Sequence, residues 1–342
     1  MHSGAPGPAV TEGSRVPSLP DARGTLSEAV IGALGSRPGG AAHLAPDGAV
    51  RSSDPYGDDL HLALYLCYEL HYRGFGGVDD AWEWDPELLR LRAALERAFL
   101  AALRSDVPAH PDVTSALRDL LLEPAEGAGV SHFLRDEGRM RHLREYVALR
   151  SLYQLKEADP HAWAIPRLTG RAKAGLVAVE YDEFGAGRAD RIHAGLFAAA
   201  MGELGLDPAY GRYLEAATAH ALAVVNLMSL LGLHRSLRGA LAGHFAAVEI
   251  TSSPSSRRLV QAIDRLGAGP AARHFYAEHV EADAVHEQLV RHEVIGGLQA
   301  DDPGLTNDIV FGIDATVWLE DRLSDHILGA WKEGGSAVRR PL

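Results

Sequence analysis

The stretch His279-Val280-Glu281-Ala282-Asp283-Ala284-Val285-His286 decides how this chain is read. Wound as a helix at ~100° per residue, it puts Asp283 about 40° around the axis from His279 and His286 about 20° to the other side. Two imidazoles and a carboxylate then share one face. Such an N/O face suits a first-row transition metal, and iron better than a thiolate-seeking ion. The same residues also fit a solvated face of an acidic helix, so other parts of the chain must supply further ligands. Pro270 opens this helix, and its pattern carries it to about Ile295.

Working outward, every sustained pattern is helical. Asp58 begins a helix through Leu60, Leu64, Cys67 and Tyr68 that stops at Gly74, and Asp85-Pro86 caps and starts the next. Further helices are expected over Asp112 to Leu122 and, as one long element, from Phe133 through Leu155 toward Asp159-Pro160. Arg171 to Glu183 follows, then a break at Gly185-Ala186-Gly187 and a new start near Arg188. Tyr210 to Leu231, His234 to Glu249, Leu259 to Leu266 and Asn307 to Trp331 complete the set. No strand pattern and no repeat of fixed period occur. The fold class is therefore all-α.

Residues 1–53, rich in Gly, Pro, Ala and Ser, read as a flexible, disordered N-terminal arm, within which Thr25 or Ser27 and Gly35 could bound a short helix. Residues 54–130 form an N-terminal helical extension and 131–335 the main helical domain. The formal charge of -13 argues against nucleic acid or an anionic membrane as partner. Cys67 is the single cysteine, so no intrachain disulfide or thiolate metal site can form, which fits a reducing cytoplasm. The most apolar window, Ala216 to Leu233, is interrupted by His220, Asn226 and Ser229 and reads as a buried core helix. Lysine is confined to Lys156, Lys173 and Lys332 against many Arg and Ala residues, as in high-GC bacterial genomes.

Four residues on other helices could add ligands. Glu183 and His193 would stand ~15 Å apart along an unbroken helix, so the glycine break is needed to bring them together. Glu249 ends the apolar run from Phe245, where a carboxylate must reach solvent or a charged partner. Glu157 follows Lys156 near a helix end and fits a surface position as well. Glu69 and His71, two residues apart, point in different directions and read as structural or surface groups. Glu180 and Asp182 point around the helix from Glu183 and read as surface groups or outer partners of the ligands. Glu278, Glu281 and Glu287 lie off the ligand face. Tyr181, Tyr276 and His292 are candidates to line a pocket, and Trp318 and Trp331 to cover apolar surface.

Glu157, Glu183-x9-His193, Glu249 and His279-x3-Asp283-x2-His286 together resemble the ligand order of the haem-oxygenase-like diiron oxidases and oxygenases. The resemblance covers roughly residues 140 to 330. The stretches Val179-Glu-Tyr-Asp-Glu-Phe-Gly and Tyr65-Leu-Cys-Tyr-Glu-Leu-His-Tyr-Arg-Gly-Phe are similar to the bacterial subgroup described as iron-containing redox enzymes. The resemblance implies a haem-oxygenase-like helical bundle and two iron ions, with O2 as co-substrate. The ligands it implies are Glu157, Glu183, His193, Glu249, His279, Asp283 and His286. Haem would call for one proximal His and a flat open site, which so many carboxylates disfavour.

The expected activity is O2-dependent oxidation of a small organic molecule, with no catalytic group specified beyond the ligands. Net acidity favours an amine or amino-acid derivative of specialised metabolism, undergoing N-oxygenation or oxidative C–C cleavage. Arg171, Arg188 and Arg191 are the groups that could locally reverse that preference. Alternatives are fatty-acid oxidative decarboxylation, a cofactorless oxidase on the same fold, and a non-catalytic helical protein that binds iron or a small ligand. An external electron donor and a homodimer are both compatible with the leading reading.

Overall fold

The structure, a computed structural model, describes residues 16–39, 44–45, 48–122 and 127–342, apart from the side chains of 283 and 284. The described residues are helical, with no strand among them, as the sequence pattern requires. The main helices are α1 (Thr25–Leu34), α2 (Asp58–Glu69), α3 (Pro86–Asp106), α4 (Val113–Leu121), α5 (Val130–Asp136) and α6 (Met140–Gln154). They are followed by α7 (Gly170–Glu183), α8 (His193–Glu203), α9 (Ala219–Leu233), α10 (Arg238–Leu266), α11 (Pro270–Leu289) and α12 (Thr306–Lys332). One connected apolar core runs from Leu26 to Ala337.

The centre of the bundle is α10, which packs along α11 and α12, with α5 and α4 on its flank. Two glycines set the closest approach. A Cβ on Gly243 would lie 2.0 Å from the Ile309 carbonyl oxygen, and one on Gly312 would lie 1.9 Å from that of Ala240. Here α10 and α12 touch backbone to backbone, a contact only glycine allows. On the other side of α12 lies α9, the apolar window expected to be a core helix, whose residues are buried almost without interruption. No helix among the described residues is long and apolar enough to cross a membrane.

Several boundaries differ from the sequence expectation. Residues 238–266 form one helix, although a stop was expected before the Thr251–Ser256 cluster. Pro254 removes one N–H from the ladder at a cost of ~3 kcal/mol, which burial on either side of it, over Gly239 to Ala247 and at Leu259, Ala262 and Ile263, offsets. Thr251 Oγ1 donates back to the Ala247 carbonyl (2.8 Å) and Ser252 Oγ to that of Glu249 (3.3 Å). The helix expected over Phe133 to Leu155 is instead split into α5 and α6. At the split, a Cβ on Gly138 would lie 2.6 Å from Leu134 Cα, and Arg265 of α10 takes the Leu134 and Arg135 carbonyls, each at 2.7 Å. Residues 210–216 form turns rather than the start of α9. Beyond α11 the helix widens into a π turn, Val290–Ile295, and then runs on to Asp301.

The segment expected to be a free arm lies partly outside the described residues, but Thr25–Leu34 within it is docked. Leu26, Val30 and Leu34 of α1 are buried against α2. Asp59 of α2 accepts from the Leu26 and Ser27 N–H groups (2.9 and 2.7 Å) and from the Ser27 hydroxyl (2.6 Å). The short helix expected between Thr25 and Gly35 is therefore present, while the cap that anchors it comes from a distant helix that a local reading cannot see.

Replacing Gly312 by Ala is expected to destabilise the protein by ~3 kcal/mol or more, because backbone atoms must separate. Urea unfolding measures the loss; a midpoint within error of wild type would contradict the backbone contact.

Candidate metal centre

The chain breaks where the two halves of Glu183-x9-His193 must meet. Gly185, Ala186 and Gly187 all have positive φ (78°, 52° and 79°), which turns the chain back on itself after α7. Gly185 is needed for a second reason: a Cβ there would lie 2.8 Å from the Ile192 backbone nitrogen. His193 becomes the first residue of α8, and its Nδ1 lies 2.6 Å from Glu183 Oε2. The folded-back loop thus replaces the ~15 Å of an unbroken helix with direct contact.

Around this contact the other side chains converge. Glu157, just beyond the end of α6, places Oε2 3.7 Å from His279 Nε2. His279 Nδ1 donates to the Phe275 carbonyl at 2.8 Å, so its Nε2 is the nitrogen left to face the carboxylates. His286 turns Nδ1 toward Glu249 Oε2 (3.1 Å) and Glu183 Oε1 (3.6 Å), with Asp182 Oδ2 3.3 Å from its Nε2. Gln154, oriented with its amide nitrogen toward Glu157, donates to both carboxylate oxygens at 3.0 Å.

Ligand-type atoms therefore gather in two groups, each within a 4.8 Å span: Glu157, Glu183, His193 and His279 in one, and Glu183, Glu249 and His286 in the other. Glu183 belongs to both. All six residues are buried. The donor set fits a borderline metal such as iron, since it pairs neutral imidazoles with carboxylates and contains no thiolate. Asp283 lies on the backbone of α11 between the two histidines, but its side chain is outside the described residues.

Burial raises the proton affinity of the Glu157 carboxyl, against the pull of His279. Burial, reinforced by the charges of Glu183 and Glu249, pushes the Glu180 carboxyl up to about 9. Glu180 is only 2% exposed, and neither of its oxygens has a hydrogen-bond partner among the described residues. The Tyr153 hydroxyl is likewise pushed well above its usual range by burial and the nearby carboxylates. A concentration of buried negative charge without enough cations is the environment in which a bound metal ion gains most.

A cavity of about 490 Å³ opens beside Glu157, Glu183, Glu249 and His279. Tyr276 lines it, but Tyr181 is 57% exposed and donates to the Ala186 carbonyl, so it is no pocket residue. His292 does not line it either. Arg171 and Arg188 are exposed and paired with Glu293 and Asp190, and Arg191 is also exposed; none of the three reaches the cavity. Glu69 is structural: fully buried, it takes Lys156 Nζ and the Tyr210 hydroxyl, each at 2.6 Å. The buried Glu180 was read as surface or an outer group, and its i−3 spacing from Glu183 was the available signal. Tyr153 and Gln154 were missed, although both sit within one turn of Glu157.

With a folded pKa near 9 against an ordinary 4.5, Glu180 makes the folded, metal-free protein hold a proton that the unfolded chain releases. Stability must then fall as pH rises from about 4.5 to about 9. Glu180→Gln is expected to raise the melting temperature of metal-free protein at pH 8 and to flatten its fall across that window. Parallel melting profiles for variant and wild type would contradict the assignment.

A comparison with curated proteins returned no match. The sequence family described as iron-containing redox enzyme matches residues 144–321, just over half of the chain. The matched segment contains the whole of the buried cluster and the helices that carry it. The fold is accordingly the haem-oxygenase-like all-α bundle, and this chain belongs to the iron-containing redox enzyme family.

Proposed function

We propose that this oxidoreductase is an O2-dependent non-haem diiron enzyme acting on a small organic substrate. The observation that carries the reading is Glu183: it is common to two buried ligand groups that open onto one cavity. Glu157, His193 and His279 would complete one iron site, and Glu249 and His286 the other. Asp283 is counted among the ligands on its sequence spacing alone. When bound, iron would supply one-electron redox chemistry and a coordination position for O2, which no side chain here can provide.

The protein's own groups have distinct tasks. Phe275, through its carbonyl, and Asp182, through its carboxylate, fix the orientation of His279 and His286. Gln154 holds Glu157 in place. The Tyr153 and Tyr276 rings wall the cavity between the ligands and its far end, limiting water beside the reacting centre. An amine or amino-acid derivative is the substrate class favoured by the net charge of -13 and the carboxylate-rich cavity floor. N-oxygenation and oxidative C–C cleavage are the reactions this substrate class allows. The proposed setting is bacterial specialised metabolism.

Loading with Fe(II) under anaerobic conditions is expected to give close to two irons per chain, and Glu183→Ala to lose both because it serves both groups, whereas Glu249→Ala retains about one. Elemental analysis reads the outcome. Fewer than about one iron in the wild type sinks the diiron reading.

Mixing the Fe(II) protein with O2 is expected to give a transient visible absorption whose decay depends on added substrate. A transient indifferent to every amine and amino acid offered would favour an iron store over an enzyme. Persistence of the transient in His286→Ala would remove that residue from the site.

A further inference from the structure

The cavity has a second chemical feature far from the ligands. On its wall, Arg150 of α6 donates from Nη1 to Glu320 Oε1 of α12 at 2.7 Å, and the Tyr146 ring lies 5.7 Å from the guanidinium. Between this ion pair and the ligand groups stand Tyr153 and Tyr276. Both are more than nine-tenths buried and both line the cavity.

We propose that Arg150 and Glu320 form a head-group subsite for a free α-amino acid, whose side chain extends past Tyr153 and Tyr276 to the ligand groups. This rests on the cavity serving the proposed metal centre. An ion pair discriminates by symmetry of charge. A lone carboxylate, as in a fatty acid, gains at Arg150 but meets Glu320 2.7 Å away, and a lone amine meets the reverse problem. A zwitterion pairs with both: its carboxylate uses the Arg150 donors that Glu320 and Tyr146 do not take, and its ammonium faces Glu320. Orientation follows from the same pair, since the side chain is then directed away from it.

The spacing also limits the side chain. Arg150 and Tyr153 are three residues apart on α6, about 4.5 Å along the axis, and Glu157 follows four residues later. The head group therefore lies on the order of 10 Å from the nearest ligand carboxylate. Long or aromatic side chains span this distance, and those of alanine or serine do not.

Calorimetric titration of metal-free protein tests the subsite. The probes are L-lysine with 6-aminohexanoate and cadaverine, and L-phenylalanine with 3-phenylpropanoate and phenethylamine. At least one amino acid is expected to bind about tenfold or more tightly than both of its truncated relatives. The double variant R150Q/E320Q, which leaves no lone charge, should lose about tenfold in that affinity while melting near wild type. E320Q alone should abolish the preference for the amino acid over the des-amino acid, and serves if the double variant does not fold. No amino-acid binding, equal binding of a truncated relative, or undiminished affinity and preference in the variants overturns the proposal. Metal plays no part in the titration, so its failure leaves the iron-loading result standing, and failed iron loading leaves this binding intact.

Discussion

Glu183 is the side chain on which the arrangement depends. It ends α7 inside the bundle, touches His193 across the glycine break and faces His286 on α11. Burying a carboxylate costs several kcal/mol unless opposite charge or donors surround it. Here the neighbours are more carboxylates and three imidazoles, and the imbalance shows in the raised proton affinities of Glu157 and Glu180. A divalent cation would relieve that repulsion. The centre thus conflicts with the stability of the metal-free fold in the manner expected of a functional site.

The surrounding helices hold this costly cluster together by close approach. Gly243 and Gly312 let α10 and α12 meet at the backbone, which sets the position of Glu249 relative to the cavity wall carried by α12. α11 packs along α10 and carries His279 and His286, both buried. The wide turn at Val290–Ile295 follows directly after this helix, and such turns often accompany functional sites in long helices. On the far side, Lys156 and Glu69 neutralise each other amid tyrosine rings, so the residue next to Glu157 adds no net charge to the core.

Much of this was legible in the residues. Helical periodicity identified the all-α class, and the spacing of His279 and His286 put them on one face of α11. Asp85 and Asp112 announced their helix starts and do cap them, accepting from Leu88 and Ser115 N–H groups. Errors arose where distant contacts overrule local preference. Pro254 did not stop α10, Gly138 did break the helix before α6, and the expected short helix α1 is docked by Asp59 rather than carried on a free arm. Arg171, Arg188 and Arg191 lie near the ligands in sequence but point outward, because sequence proximity does not determine which face of a turn meets the cavity.

The sequence by itself determined the helical class and the kinds of ligand available, because periodicity and donor chemistry are local properties. Tertiary structure alone decided that Glu183 is shared between two groups, that Glu180 is buried without a hydrogen-bond partner among the described residues, and that Arg150 pairs with Glu320 on the cavity wall. Each depends on the distance between side chains 3 to 170 positions apart, and that distance follows from how helices turn and pack rather than from any one segment.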